Sequence, residues 1–506
     1  MKTLFNRDIN EYYNLPWESM FYDLKAIKRN VYQPGTQILV KSFGKTDQHI
    51  WKHFFKIIKI LDIPAFFIQV QTNNSELKSL LDSLIEKVIP WEKKINVIFK
   101  QQESINTEPH VNNFNIPDTI CLMPFVNLEL GLDHEFRACC QIKKNVADEY
   151  GNNFNVYDHN FTEVFNSQSL KNLRTAFLNG EKLVECSRCW KPEQYGRASM
   201  RTSLKHHADF GVQELTTNYH SPDTKLTALD IKLSTLCNLK CRICNSSKSS
   251  AWYQEIKHNF SDKLPKIKSI DWLDNNDSIF WQSLKNKLSD IQYITFSGGE
   301  PFLDRKHHKL LEYLLAEGKS DTFIHYNTNG TIFPDNLIEK LLSNFNHVGI
   351  SFSIDNISDK FNYERFGNKN WDVTYNILKK FSQLDKDKFK LDLYPTFSVF
   401  NILDIENIKN LADELDFDIH FGFVESPNYF SVMNIPLAGR QYIINKLRKS
   451  KHDIVAQIAN NLDSNIYYDV SKEFWNEIDR IDKVRGQCFA DTYPIMNKIM
   501  RIDSEI

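Results

Sequence analysis

Three thiols, Cys237, Cys241 and Cys244, fall within the short stretch "LSTLCNLKCRICN". Structural zinc normally takes four protein ligands, so a lone CxxxCxxC lacks a closing ligand. A cuboidal iron-sulfur cluster held by three thiolates instead keeps one iron open for a substrate or cofactor. Ligand counting alone leaves such a cluster, a zinc site and three unrelated buried thiols as readings. One β/α unit later comes "FSGGEP", with Gly298, Gly299 and Glu300. Two residues without Cβ atoms let the backbone approach a ligand closely, and the adjacent carboxylate can accept hydrogen bonds from an ammonium group.

Elements that could position these groups are legible around them. Apolar runs at "ALDIKLS", "IQYITFS", "TFIHYNT", "HVGISFSI", "LDLYPTFSV" and "DIHFGFV" alternate with helical stretches. Six strands alternating with helices predict parallel β/α construction, either an open sheet or a partial barrel. The polar segments "STLCN", "SGGEP", "NTNGT", "SIDN" and "VESPN" each follow a strand. In a β/α barrel that end carries the chemistry.

The motif pair resembles the radical S-adenosylmethionine superfamily, which carries CxxxCxxC after its first strand and GGE after its second. The resemblance spans about residues 227–425 and implies a partial (β/α)6 barrel. It implies that Cys237, Cys241 and Cys244 hold a 4Fe-4S cluster whose open iron is chelated by S-adenosylmethionine, with Gly298, Gly299 and Glu300 at the methionine amino end. Reductive cleavage of that cofactor to a 5'-deoxyadenosyl radical, hydrogen abstraction from a substrate, and an external one-electron reductant such as flavodoxin or ferredoxin follow from the same resemblance. By match to further family segments, Ser353 in "SFSIDN" and Arg365 in "DKFNYERFG" become candidates for the cofactor carboxylate, and Asn329 in "NTNG" for a polar contact. Asn356 stands where the family has glycine.

Upstream, "CLMPFVNLELGLDHEFRACC" and "CSRCW" resemble an auxiliary-cluster module of the SPASM or twitch type, here preceding the barrel rather than following it. That likeness implies a second iron-sulfur cluster on Cys121, Cys139, Cys186 and Cys189, with Cys140 the spare or substitute and His134 where the module often has glycine. A four-thiolate zinc knuckle is the alternative built from the same residues. Cys488 is expected to be a thiol with no metal role.

The expected organisation is a small α/β domain at 1–110, the cysteine-rich module at 117–225, the barrel at 226–425 and a helical extension at 426–506. The first domain is read from strands at "TQILVKSF", "PAFFIQVQT" and "KINVIFK" with amphipathic helices between them, and residues 101–117 read as a linker. Lys and Arg total 62 against 64 Asp and Glu, which leaves no basic excess to mark nucleic acid as partner. No signal-peptide core and no membrane-spanning apolar run is legible, so the cytoplasm is the expected compartment. Relatives with auxiliary clusters imply a peptide or protein substrate. The alternatives are a nucleotide, sugar or small metabolite, and, in another class, a non-catalytic iron-sulfur or zinc scaffold.

Overall fold

The computed structural model describes three strands between residues 37 and 99, and residues 117–194, 199–204, 224–260, 264–266, 271–462 and 469–502. The chain divides into two compact units, Met1–Asn113 and Phe114–Ile506. In the first, β1 (Gln37–Ser42), β2 (Phe67–Thr72) and β3 (Ile95–Phe99) form a parallel sheet in that order. All three lie inside the apolar runs expected to be strands. The helices expected at residues 47–61 and 75–89, and most of the linker, lie outside the described residues.

The second unit is built on one eight-stranded sheet. Its strands are β4 (Asn127–Leu130), β5 (Phe136–Arg137), β6 (Ala228–Lys232), β8 (Tyr293–Ser297), β9 (Phe323–Thr328), β10 (Val348–Phe352), β12 (Phe389–Leu393) and β14 (Asp418–Ile419). The order is β14-β12-β10-β9-β8-β6-β4-β5, parallel throughout except for the β4–β5 hairpin. From β6 to β14 the strands follow sequence order, as a partial barrel requires. Two short pairs lie outside this sheet: β7 (Leu239–Cys241) with β11 (Arg365–Gly367), and β13 (Thr396–Phe397) with β15 (Gly422–Phe423). The run "LDLYPTFSV" is therefore two strands, because Tyr394-Pro395 interrupts it. A proline has no N–H to give a ladder.

The cysteine-rich region is not separate from this sheet. Strand β4 belongs to it and pairs in parallel with β6, with Glu129 opposite Asp230. All four residues of "NLEL" are buried, so the strand shows no alternation by which its sequence could reveal it.

The two faces of the sheet differ. Leu229, Ile231, Ile294, Phe296, Ile324, Tyr326, Ile350 and Phe352 are all at most 3% exposed and face the helical layer. Phe352, for instance, meets Phe381 of the helix Trp371–Phe381 with ring centroids 4.8 Å apart. Their neighbours along each strand, Asp230, Lys232, Thr295, Ser297 and His325, are only partly buried and face the concave side. Helices begin where a polar side chain satisfies a free N–H: Ser249, Ser278 and Asn370 accept from Trp252, Trp281 and Val373.

The helix Ser471–Arg485 reaches the thiol loop. Arg242, between Cys241 and Cys244, is fully buried; it pairs with Asp482, donates to Gln487 Oε1 at 2.9 Å, and lies 3.6 Å from the centre of the Tyr363 ring. Asp482 also accepts from the Tyr363 hydroxyl at 2.8 Å and the Phe489 N–H at 2.7 Å. Removing one partner strands the other charge in a dry site. Asp482→Ala is expected to lower the unfolding free energy by about 3 kcal/mol in denaturant titration; a loss within error would show the clamp to be slack.

Candidate radical and auxiliary cluster sites

Cys237 lies on the loop leaving β6, Cys241 ends β7, and Cys244 closes the next turn, where its N–H donates to the Cys241 carbonyl at 2.9 Å. The loop is held from several sides. Ser250 Oγ accepts from the Cys237 N–H at 3.1 Å, and the Trp252 indole donates to the Cys241 carbonyl at 2.7 Å. The three thiols sense one another electrostatically. Burial pushes Cys241 up to about 12 and raises Cys237 and Cys244 as well. Thiols raised in this way must give up their protons for a metal ion to bind.

The Gly298–Gly299–Glu300 loop packs directly on this one. Gly299 N–H donates to Ser234 O and Glu300 N–H to Leu236 O, both at 2.7 Å. A Cβ on Gly299 would lie 2.3 Å from Leu236 O, and one on Gly298, whose φ is +124°, 2.7 Å from Ser234 O. The sequence reading assigned the two glycines to close approach of a ligand. In the structure the closest approach they permit is to the backbone of the thiol loop itself.

Glu300 is 1% exposed. Its Oε1 accepts from the Phe302 N–H at 3.1 Å and Thr328 Oγ1 at 2.8 Å, and its Oε2 from the Asn329 N–H at 2.7 Å. It thus ties the end of β8 to the end of β9. Burial pushes its carboxyl up to about 7 against those three donors. Asn329 in turn donates to Asn238 Oδ1 at 2.9 Å and comes within 3.9 Å of Cys237 Sγ.

Arg365 pairs across β11 with Cys241, and its Nη1 stands 3.7 Å from the Cys241 sulfur. Its Nη2 meets Asp355 Oδ2 at 2.6 Å, while its buried Nε has no partner among the described residues. Ser353 lies just beyond β10, its N–H given to Thr328 O at 2.8 Å. Asn356 uses its amide to donate to Glu364 Oε1 at 2.9 Å.

Around the upstream cysteines the structure separates a neighbouring pair. Cys121, Cys139, Cys186 and Cys189 sense one another electrostatically, whereas Cys140 senses Asp230, Lys232 and Glu129 on the concave side of the sheet, besides Cys139. Burial pushes Cys121 and Cys186 up to about 12. The residue that sequence reasoning missed here is Arg201. It donates to the carbonyls of Asp118 and Ile120 at 2.6 and 2.8 Å, pairs with Glu193, and acts to lower Cys121, Cys186 and Cys189. His134, in the glycine position of the module, has φ +67°, the left-handed conformation that such a turn asks of glycine. Cys488 is exposed. Among the described residues no three His, Cys, Asp or Glu side chains stand close enough to grip one metal ion.

Residues 231–412 match the Radical SAM superfamily. That segment is a radical SAM superfamily enzyme domain. The family implies a 4Fe-4S cluster and S-adenosylmethionine as its cofactors, and Arg365 beside Cys241 offers the countercharge that an anionic cluster needs. No curated protein matches the chain. Among solved structures, native anSMEcpe with bound AdoMet is 20% identical, with a TM-score of 0.32, over 44% of this chain and 59% of that one. The same protein with bound AdoMet and Kp18Cys peptide is 19% identical, with a TM-score of 0.32 over the same shares. The match thus spans 59% of the length of those chains. Likeness at this level says nothing of what this radical SAM enzyme acts on. No helix among its described residues is long and apolar enough to cross a membrane.

The loop docking makes a direct prediction. Gly299→Ala drives a methyl group into the Leu236 carbonyl and is expected to lower iron bound after anaerobic reconstitution by at least half. Gly318→Ala, at φ +70° with open space around it, is expected to cost about 1 kcal/mol of stability and leave iron binding intact. Equal iron in the two variants would mean that the docking does not shape the cluster site.

Proposed function

We propose that Cys237, Cys241 and Cys244 hold the 4Fe-4S cluster of this enzyme, that Cys121, Cys139, Cys186 and Cys189 hold a second one, and that the substrate is a peptide or protein side chain. The observation that carries the first part is the placement of the three thiols on one loop, stitched to Gly299 and Glu300, with Arg365 beside Cys241. Bound there, a reduced cluster would supply the electron for cleaving S-adenosylmethionine to methionine and a 5'-deoxyadenosyl radical.

The chain's own residues bind and orient. Arg365 offsets thiolate charge at Cys241 and keeps an unpaired Nε for an anion such as the methionine carboxylate. Ser353 stands at the neighbouring strand end. Glu300 has two acceptor positions on each carboxylate oxygen and three donors, which leaves it room for an ammonium N–H. Asn329 braces the Cys237 side of the loop.

For the second set, support comes from four thiols that sense one another and from the buried cation Arg201, which acts on Cys121, Cys186 and Cys189. An anionic thiolate cluster needs such a countercharge. The peptide reading rests on the resemblance of this cysteine pattern to auxiliary-cluster modules of peptide-modifying enzymes.

Two experiments test these assignments. Anaerobically reconstituted wild type with dithionite and S-adenosylmethionine is expected to form 5'-deoxyadenosine, and Cys241→Ala to form none; product from the variant would remove the triplet from the reaction. Metal analysis is expected to give about eight irons per wild-type chain and about four for Cys189→Ala. A wild type with about four irons and one zinc would replace the second cluster by a zinc knuckle.

A further inference from the structure

The potential of an iron-sulfur cluster is set in part by net charge and by the hydrogen bonds that reach its sulfurs. One such donor stands at the triplet: Arg365 Nη1, 3.7 Å from the Cys241 sulfur. Its backbone is fixed there. Strand β11 pairs with β7 so that Arg365 lies opposite Cys241, and the next residue of the thiol loop, Arg242, donates its N–H to the Glu364 carbonyl at 2.8 Å. Arg365 is buried, so salt screens its charge little.

Sulfur is not the closer partner of that guanidinium. Asp355, 1% exposed, meets Nη2 with its Oδ2 at 2.6 Å, a charge-assisted contact well inside the distance to sulfur. The Asp355 carboxylate is itself anchored, since its Oδ1 accepts the Thr396 N–H at 2.8 Å where β13 begins. One arm of the planar fork is thus on Cys241 and the other on a fixed carboxylate. Asp355 competes with the cluster site for one cation.

A second buried carboxyl lies close by and stays out of the pair. Glu364 precedes Arg365 in the chain, and its Oε1 accepts from Asn356 Nδ2 at 2.9 Å and from the Tyr493 hydroxyl at 3.1 Å. Burial pushes it up to about 8, so it is mostly uncharged at neutral pH. Among the described residues the ion pair of Arg365 is with Asp355. Asn356 has a part in this. It stands where the family has glycine, and its amide gives Glu364 a partner of its own. With Glu364 occupied, a guanidinium released by Asp355 finds its negative charge at the loaded cluster.

We propose that Asp355 is a positioning residue that holds the potential of the triplet cluster down by drawing Arg365 away from it. The inference rests on the assignment of Cys237, Cys241 and Cys244 to that cluster and deepens it. Reduction adds one electron to an anionic group beside a cation, so whatever weakens the cation's hold on the sulfur makes the reduced state less favourable. A cluster kept at low potential is the stronger one-electron donor, which is what cleaving a sulfonium asks of it. Neutralising Asp355 frees the guanidinium for the sulfur and raises the potential; neutralising Arg365 removes the cation and lowers it. Opposite signs at two residues in contact separate this role from loss of packing, which has no reason to move the potential both ways.

The test is a dithionite titration of the full, anaerobically reconstituted chain, followed at the electron paramagnetic resonance signal that S-adenosylmethionine perturbs, which assigns that signal to the triplet. At the wild-type midpoint, Asp355→Asn is expected to raise the reduced-to-oxidised ratio about tenfold, ~59 mV for a one-electron couple, and Arg365→Gln to lower it by a similar factor. Glu364→Gln, which replaces an uncharged carboxyl, is expected to change the ratio by less than about twofold. An unchanged midpoint in Asp355→Asn, shifts of the same sign in Asp355→Asn and Arg365→Gln, or a shift in Glu364→Gln as large as that in Asp355→Asn would overturn the proposal. Should Asp355→Asn fail to bind iron, Asp355→Ser takes its place; if neither binds iron, Asp355 holds the fold rather than the potential, and the proposal falls. A wild type without a reducible cluster, or with a signal that ignores S-adenosylmethionine, overturns the cluster assignment along with the inference, whereas a normal wild type with an unmoved Asp355→Asn midpoint overturns the inference alone.

Discussion

The contact on which the site depends is backbone against backbone. The loop after β8 gives two N–H groups to carbonyls of the loop after β6, at 2.7 Å each, and only residues without side chains allow that approach. Through Glu300 the same loop is fastened to the end of β9, and through Asn329 back to Asn238 beside Cys237. A closed circuit of hydrogen bonds thus links three successive strand ends. The thiols inherit their placement from it, because a surface-loop cysteine triplet without such fastening would sample many arrangements.

Charge is the second constraint. Each cysteine set has a buried guanidinium beside it, Arg365 at Cys241 and Arg201 at Cys121, Cys186 and Cys189, and each is itself tethered by a carboxylate, Asp355 and Glu193. Thiolates at low dielectric are unfavourable until metal and countercharge are both present. Arg242 serves the triplet differently. It ties the loop to Asp482 in the helix Ser471–Arg485, which makes that helix part of the site's support rather than an appendage.

Much of this was legible in the sequence because it is local. The thiol spacing, the glycine pair and the six barrel strands are each contained in a few residues, and each apolar run yields a strand within it. Other features escaped for physical reasons. Strand β4 is buried on both faces and so lacks the alternation that marks a strand, which concealed that the cysteine-rich region shares the barrel's sheet. The pairs Arg242–Asp482 and Lys232–Glu129 join residues far apart in sequence, and no spacing rule foretells them. The polar concave face had a signal, since "DIK", "YITFS" and "FIHYN" alternate polar with apolar. In a barrel such alternation separates the inside from the helical layer. His134 shows the converse: a departure from the glycine pattern in sequence, yet the same left-handed backbone in the fold.

The account stands on an iron left open to a cofactor by a three-thiolate site. The most direct measurement is the electron paramagnetic resonance spectrum of the dithionite-reduced, reconstituted protein before and after adding S-adenosylmethionine. A reduced-cluster signal whose g-values shift on addition is the result the account predicts. A signal that S-adenosylmethionine leaves unchanged, in protein carrying its full iron, would contradict it.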